Sequence, residues 1–148
     1  MIDTIQRPPA LPFSSDRPPL VLVVDDVVHG RALCAEYLEL RGFRVVTTGD
    51  GLGAVDMALA LRPDVILMDL SMPVIDGWEA TRLIKKNART SAIPIVVMTA
   101  HQETSDHEEA RAAGCAALFV KPCLPDALVA ELQRQIGSPL VLGAGQPG

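Results

Sequence analysis

The sequence predicts an α/β fold in which five parallel strands form one sheet with helices on both faces. Two observations predict this fold. Five short apolar runs are separated by stretches of helical periodicity, and the first run, residues 20–24, is apolar at every position. A wholly apolar strand is typical of a parallel sheet that is covered on both faces. Because parallel neighbours need crossover connections, strands and helices should alternate along the chain.

The predicted strands are short and rich in valine and isoleucine, which fit the pleated surface of a sheet. Pro94 removes a backbone donor near the start of the fourth strand, which a strand tolerates at that position. The predicted strands span residues 20–24, 43–47, 65–68, 93–98 and 116–120.

Five predicted helices lie between the strands and after the last one. In the first helix, Leu33, Tyr37 and Leu40 recur at the spacing of one buried face, and Gly42 is placed to end it. The last helix tolerates Pro125 in its first turn and gains from Asp126 near the positive end of its dipole. The other apolar positions predicted to mark helices are Val55, Ala58, Leu59, Ala80, Leu83, Ile84, Ala110, Ala113, Leu128, Leu132 and Ile136.

Composition and charge limit the class of protein. The 148 residues are 49% apolar and 21% charged with a formal net charge of -5, which is typical of one globular domain. Because the chain is acidic and its Lys and Arg residues are scattered, we do not expect it to bind nucleic acid or acidic membranes. No apolar run is long enough to span a bilayer. The three cysteines lack the spacing of a zinc site or a disulfide framework. We expect a domain over residues 20–137, flexible extensions over 1–19 and 138–148, and a cytoplasmic location.

Polar residues follow four of the five predicted strands. Asp25 and Asp26 follow the first, Asp69 the third, Thr99 the fourth and Lys121 the fifth. Ligands in such sheets bind beyond the carboxyl ends of the strands, where these residues should converge. Three carboxylates at short range repel one another, and a hard divalent ion such as Mg²⁺, which prefers oxygen ligands, would offset that repulsion.

The expected chemistry of these residues is phosphoryl transfer to a carboxylate. Lys121 and Thr99 are suitable donors to phosphate oxygens, and Asp69 on the central strand is the candidate nucleophile. Composition alone does not choose Asp69 over Asp26. Taken singly, each of these polar residues is more simply explained as a helix cap or as a side chain that faces water. Neither explanation accounts for polar residues after four strands together.

Four segments resemble the receiver domain of two-component response regulators. They are LVLVVDD at 20–26, VILMDLSMPVIDGWE at 65–79, IPIVVMTA at 93–100 and LFVKP at 118–122. The resemblance covers residues 20–136 and agrees in both order and spacing, which makes it far more specific than an isolated dipeptide. It implies a flavodoxin-like, doubly wound sheet with the strand order 2-1-3-4-5.

The resemblance also implies a set of magnesium ligands. It makes Asp69 the phosphoacceptor and a ligand, Asp26 a direct ligand, and Asp25 a ligand that acts through water. The backbone carbonyl of Ser71 completes the protein ligands. Gly77 matches the start of the third helix, where the family implies backbone angles that a Cβ would oppose.

The remaining implied roles concern the switch. Thr99 resembles the hydroxyl that turns toward the phosphoryl group, and Lys121 resembles its salt-bridge partner, aimed by a cis Lys121–Pro122 bond. The family usually has Tyr or Phe where this chain has Leu118. Phe119 should lie on the opposite face of the strand, so it cannot substitute for that ring.

The resulting hypothesis is a stand-alone signalling domain. A histidine kinase or histidine phosphotransfer protein would phosphorylate Asp69, and the surface of the fourth helix, fifth strand and fifth helix would change its affinity for a partner. The chain is expected to be a monomer or weak dimer that catalyses only its own phosphorylation and dephosphorylation.

Two alternatives belong to other classes of protein. One is a magnesium-dependent phosphohydrolase with an aspartyl phosphate intermediate, but Ser71 stands where a general acid or base would be expected. The other is a flavin-binding module, in which Asp25 and Asp26 would repel the flavin phosphate.

Overall fold

The computed structural model describes residues 18–70, 76–99, 104–121 and 125–137, and its five strands form one parallel sheet. The strand order is β2-β1-β3-β4-β5, which confirms the order that the resemblance implied. The strands are β1 (Leu20–Val24), β2 (Arg44–Thr48), β3 (Val65–Asp69), β4 (Ile95–Thr99) and β5 (Ala117–Val120).

Helices follow all five strands, as predicted. Of the three helices whose N-cap residue the structure describes, two begin at a side-chain cap, since Asp50 accepts a hydrogen bond from the Gly53 amide and Asp76 accepts one from the Glu79 amide. The helices are α1 (Val28–Leu40), α2 (Gly51–Leu61), α3 (Gly77–Lys86), α4 (Thr104–Ala113) and α5 (Pro125–Gln135). In the described part of the chain, no helix has both the length and the apolar composition that a membrane crossing requires.

The sheet separates two apolar cores. Alternate residues of β1, β3 and β4 point to opposite faces, so Leu22 and Ile66 pack with α2 and α3, whereas Val21 and Leu67 pack with α1 and α5. All three strands are buried along their whole length. This double covering explains why their sequences are almost entirely apolar, and it fixes the strand ends in space.

The predicted buried face of α1 is wrong for Leu33 and Leu40, whereas Tyr37 is half-buried and packs against the core, as predicted. Leu33 and Leu40 are 65% and 80% exposed, whereas Leu38 is fully buried and Cys34 is half-buried. The helix carries two apolar stripes at helical spacing, and it is the stripe of Cys34 and Leu38 that packs against the sheet. Tyr37 lies between the two stripes, and its hydroxyl donates a hydrogen bond to Asp126 of α5.

The other helices agree better with their predicted faces. The residues Ala58, Ala80, Ala113, Leu128, Ile84 and Leu132 are buried. Val55, Leu59 and Ile136 are half-buried, and Leu83 is 36% exposed although a buried position was predicted. Leu83 follows two residues after Thr81, which faces the core, so the helix turns Leu83 toward its outer side.

Thr81 of α3 carries a buried polar atom with an unusual environment. The residue is fully buried, and among the described residues its hydroxyl has no hydrogen-bond partner. Thr81→Val should therefore raise the free energy of unfolding by about 1 kcal/mol, because it removes a desolvated hydroxyl that makes no compensating bond. Urea denaturation measures this change.

Thr90 offers a matched control for that substitution. It is also buried, but its hydroxyl donates a 2.6 Å hydrogen bond to the Ile84 carbonyl. Thr90→Val should lower the free energy of unfolding by about 1 kcal/mol or more, because the carbonyl loses its donor. Equal changes in the two variants would contradict the assignment of Thr81 as unsatisfied.

Candidate functional site

Three carboxylates meet where β1 and β3 end. Asp25, Asp26 and Asp69 each contribute an oxygen atom, and these oxygens lie within 4.8 Å of one another. The cause is the pairing of β1 with β3, which brings the residues that follow β1 beside the end of β3. Asp25 and Asp69 are buried, whereas Asp26 is exposed. The predicted convergence of these residues is therefore observed.

Lys121 reaches this cluster from the end of β5. Its ammonium nitrogen lies 3.5 Å from Asp69 Oδ1 and 3.9 Å from Asp25 Oδ2. Its backbone amide donates a 2.7 Å hydrogen bond to the carbonyl of Thr99, which fixes the end of β5 against β4. In the described part of the chain, one ammonium, that of Lys121, forms ion pairs with two of these three carboxylates, so the cluster keeps an excess of negative charge.

Thr99 completes the predicted set, which we call the acidic pocket: Asp25, Asp26, Asp69, Thr99 and Lys121. It is the last residue of β4, between the ends of β3 and β5, and its side chain is buried. Two further predictions, the carbonyl of Ser71 and the cis Lys121–Pro122 bond, involve residues outside the described part of the chain.

Hydrogen bonds hold Asp25 in place. Its backbone amide donates to the Thr48 carbonyl of β2 at 3.2 Å, and its Oδ1 accepts from the Val27 amide at 2.9 Å. Its carbonyl oxygen accepts a 2.7 Å hydrogen bond from Arg31 Nη1. Arg31 could not be identified from the sequence, because one basic residue in the first turns of a helix gives no signal of its own.

Gly77 lies against the backbone that carries Asp69. Its amide donates a 3.0 Å hydrogen bond to the Leu70 carbonyl. A Cβ at this position would lie 2.8 Å from Leu70 Cα and would overlap the carbonyl oxygen of Asp69. The φ of Gly77 is not in the left-handed region. The glycine is thus required for space, and not for unusual backbone angles as the resemblance implied.

Leu118, which stands where the family usually has an aromatic ring, and Phe119 lie on opposite faces of β5. Leu118 packs against the core beneath α2 and α3, and Phe119 packs against the core beneath α1 and α5. This arrangement confirms that Phe119 does not occupy the place of an aromatic ring at Leu118.

The acidic pocket is chemically suited to a hard divalent cation. Among the described residues, its metal donors are carboxylate oxygens that lie within reach of one ion and carry more negative charge than Lys121 offsets. Mg²⁺ prefers such ligands and keeps open positions for water or phosphate oxygens. The site is therefore compatible with magnesium.

Sequence comparison agrees with this geometry. The family model for the response regulator receiver domain matches residues 21–133. A curated relative, the polar-differentiation response regulator DivK of Brucella anthropi, is 32% identical over 120 residues, which cover 81% of this chain and 98% of the relative.

Solved structures give the same result. The chemotaxis response regulator CheY4 of Vibrio cholerae matches with a TM-score of 0.75 and 32% identity, over 80% of this chain and 98% of that one. The receiver domain of the sensor histidine kinase PA1611 from Pseudomonas aeruginosa matches with a TM-score of 0.76 and 35% identity, over 81% and 98% of the two chains. That structure has a magnesium ion coordinated in its active site cleft. The chain therefore belongs to the response regulator receiver domains, the family of two-component signalling.

Proposed function

We propose that this receiver domain accepts a phosphoryl group on Asp69 in a magnesium-dependent reaction and signals by phosphorylation-dependent protein binding. The observation that carries the proposal is the position of Asp69, buried at the end of β3, 3.5 Å from an ammonium and beside two further carboxylates. The proposed unit spans residues 20–137, with residues 1–19 and 138–148 as extensions.

The contacts favour Asp69 over its neighbours as the nucleophile. One carboxylate oxygen of Asp25 accepts a hydrogen bond from the Val27 amide, so the loop already holds this side chain. Asp26 is exposed, whereas Asp69 is buried and lies closer than Asp25 to the Lys121 ammonium. A buried carboxylate beside a cation is positioned to attack a phosphorus atom whose oxygens that cation binds.

Asp25, Asp26 and Asp69 would hold Mg²⁺, together with the carbonyl of Ser71 that the family resemblance adds. Bound there, the ion supplies positive charge for the phosphate oxygens. Lys121 donates a hydrogen bond from Nζ to one phosphoryl oxygen, and the Thr99 hydroxyl donates to another.

The phosphoryl donor is a phosphohistidine of a sensor histidine kinase or of a histidine phosphotransfer protein. A carboxylate oxygen of Asp69 forms a bond to phosphorus while the bond between phosphorus and the imidazole nitrogen breaks. The electron pair of that bond returns to the imidazole, and Asp69 becomes an acyl phosphate. A kinase draws its phosphoryl group from ATP, so we place this reaction in the cytoplasm.

The output is a change in the surface formed by α4, β5 and α5. The hydrogen bond from the Lys121 amide to the Thr99 carbonyl joins β5 to β4. A movement of Thr99 toward the phosphoryl group would therefore also move β5, at the edge of the sheet. The downstream partner is a protein, and not nucleic acid or a membrane. The domain acts as a monomer or weak dimer and catalyses no reaction other than its own phosphorylation and dephosphorylation.

Intact mass measurement tests this function. The native chain, incubated with Mg²⁺ and a small acyl phosphate donor, should gain one phosphoryl group, and the same incubation in EDTA should give no adduct. Absence of the adduct, or equal labelling in EDTA, would overturn the proposal. Repeated turnover of a simple phosphate ester would favour the phosphohydrolase instead.

A further inference from the structure

We propose that Arg31 is a positioning residue for the magnesium-binding loop and that Gly49 leaves the space in which it acts. Arg31 fixes the peptide group that joins Asp25 to Asp26. The inference rests on the proposed function, since it assigns a role toward the same magnesium site.

The contact with Asp25 defines what Arg31 can control. The Asp25 carbonyl, which accepts the 2.7 Å hydrogen bond from Arg31 Nη1, belongs to the peptide that links the two acidic residues. Rotation of this peptide changes the direction in which the Asp26 side chain leaves the backbone. Asp26 is exposed and is not held by surrounding side chains as a core residue is. The hydrogen bond from Arg31 therefore orients Asp26 through the backbone.

Arg31 is itself held on a fixed element. Its backbone amide donates a 2.9 Å hydrogen bond to the Val27 carbonyl, which closes the first turn of α1. Near the C-terminal end of the same helix, Leu38 is fully buried against the sheet. The guanidinium thus connects a packed helix to the loop, so the direction of Asp26 is set before any ion binds.

Gly49 lies beside the guanidinium at the end of β2. A Cβ at this residue would lie 2.7 Å from Arg31 Nη1, which is too close for a stable contact. Because the obstructed atom is the tip of a flexible side chain, an added methyl group should displace the guanidinium and leave the backbone in place. Gly49→Ala should therefore break the hydrogen bond while keeping Arg31, its charge and all three aspartates.

The hydrogen bond and the positive charge of Arg31 should have opposite effects on the affinity for Mg²⁺. Its positive charge alone repels Mg²⁺, so removal of the charge would tighten binding. Its hydrogen bond orients a ligand, so removal of the bond would weaken binding. The direction of the change in magnesium affinity separates the two roles.

The test measures the dissociation constant for Mg²⁺ by calorimetric titration of the folded chain. Arg31→Ala and Gly49→Ala should each weaken binding by about tenfold, as loss of an outer partner of a metal ligand does. The double variant should be no weaker than either single variant, because both remove the same contact. Arg31→Lys, which keeps a donor and the charge, should bind more tightly than Arg31→Ala.

Thermal unfolding in EDTA shows that each variant is folded before titration. Unchanged or tighter binding in both single variants would overturn the inference and leave the proposed function standing. Additive losses in the double variant would also overturn it, since the two residues would then act separately. Failure of the native chain to bind Mg²⁺ would overturn the proposed function and this inference with it.

Discussion

Asp69→Asn is expected to abolish the phosphoryl adduct and to make the protein harder to unfold in EDTA. The amide has no nucleophilic carboxylate oxygen, so labelling should fall to the background. Asp69 also lies in a cluster whose oxygens are within 4.8 Å of one another, with one ammonium nearby. Loss of the Asp69 charge removes its repulsion from Asp25 and Asp26 and its attraction to Lys121. The balance is about one carboxylate repulsion, so the free energy of unfolding should rise by about 1 kcal/mol in a water-like dielectric.

Urea denaturation in EDTA and intact mass after incubation with the donor measure the two effects. Asp56→Asn is a suitable control, because it removes the same charge from an exposed position in α2. This control should be phosphorylated normally and should change stability little. A variant at Asp69 that is still labelled, or that is less stable than the native chain, would contradict the assigned geometry.

Gly77→Ala is expected to cause the largest loss of stability, about 3 kcal/mol, because overpacking against backbone atoms cannot be relieved by a side-chain rotation. The added methyl group would meet the Asp69 carbonyl and Leu70 Cα, so α3 must move away from the end of β3. That movement also shifts Asp69, so magnesium affinity should fall together with stability.

Gly30→Ala provides a control with the opposite expected sign. Gly30 lies inside α1, and its added Cβ would be 3.4 Å from Asp25 Oδ2, which is an acceptable contact. Alanine in a helix should raise the free energy of unfolding by about 0.5–1 kcal/mol. If urea denaturation gave both glycine variants similar stabilities, the close approach at Gly77 would not be the cause.

The fold was predictable because its signals are local and repeated. Buried strands such as β1 and β3 must be apolar on both faces, so their positions are visible in the sequence, and a parallel sheet brings the residues after them together. Asp25 and Asp69 were therefore found from position alone. The strand order, the choice of Asp69 over Asp26 and the set of magnesium ligands came from the resemblance, since spacing does not determine them.

The remaining features depend on contacts that leave no periodic signal. Two apolar stripes in α1 satisfy the same helical spacing, and the choice of Leu38 over Leu33 is made by packing against the sheet. The role of Arg31 depends on the direction of one carbonyl and on the space beside Gly49. Likewise, the need for glycine at Gly77 arises from residues in another element.

Chemical trapping of the phosphorylated residue tests the central claim most directly. Borohydride reduces an aspartyl phosphate to homoserine, and peptide mass spectrometry then identifies the converted position. After incubation with Mg²⁺ and a small acyl phosphate donor, we expect homoserine at position 69 and at no other aspartate. Conversion at position 25 or 26, or at none, would contradict the assignment of Asp69 as the phosphoacceptor.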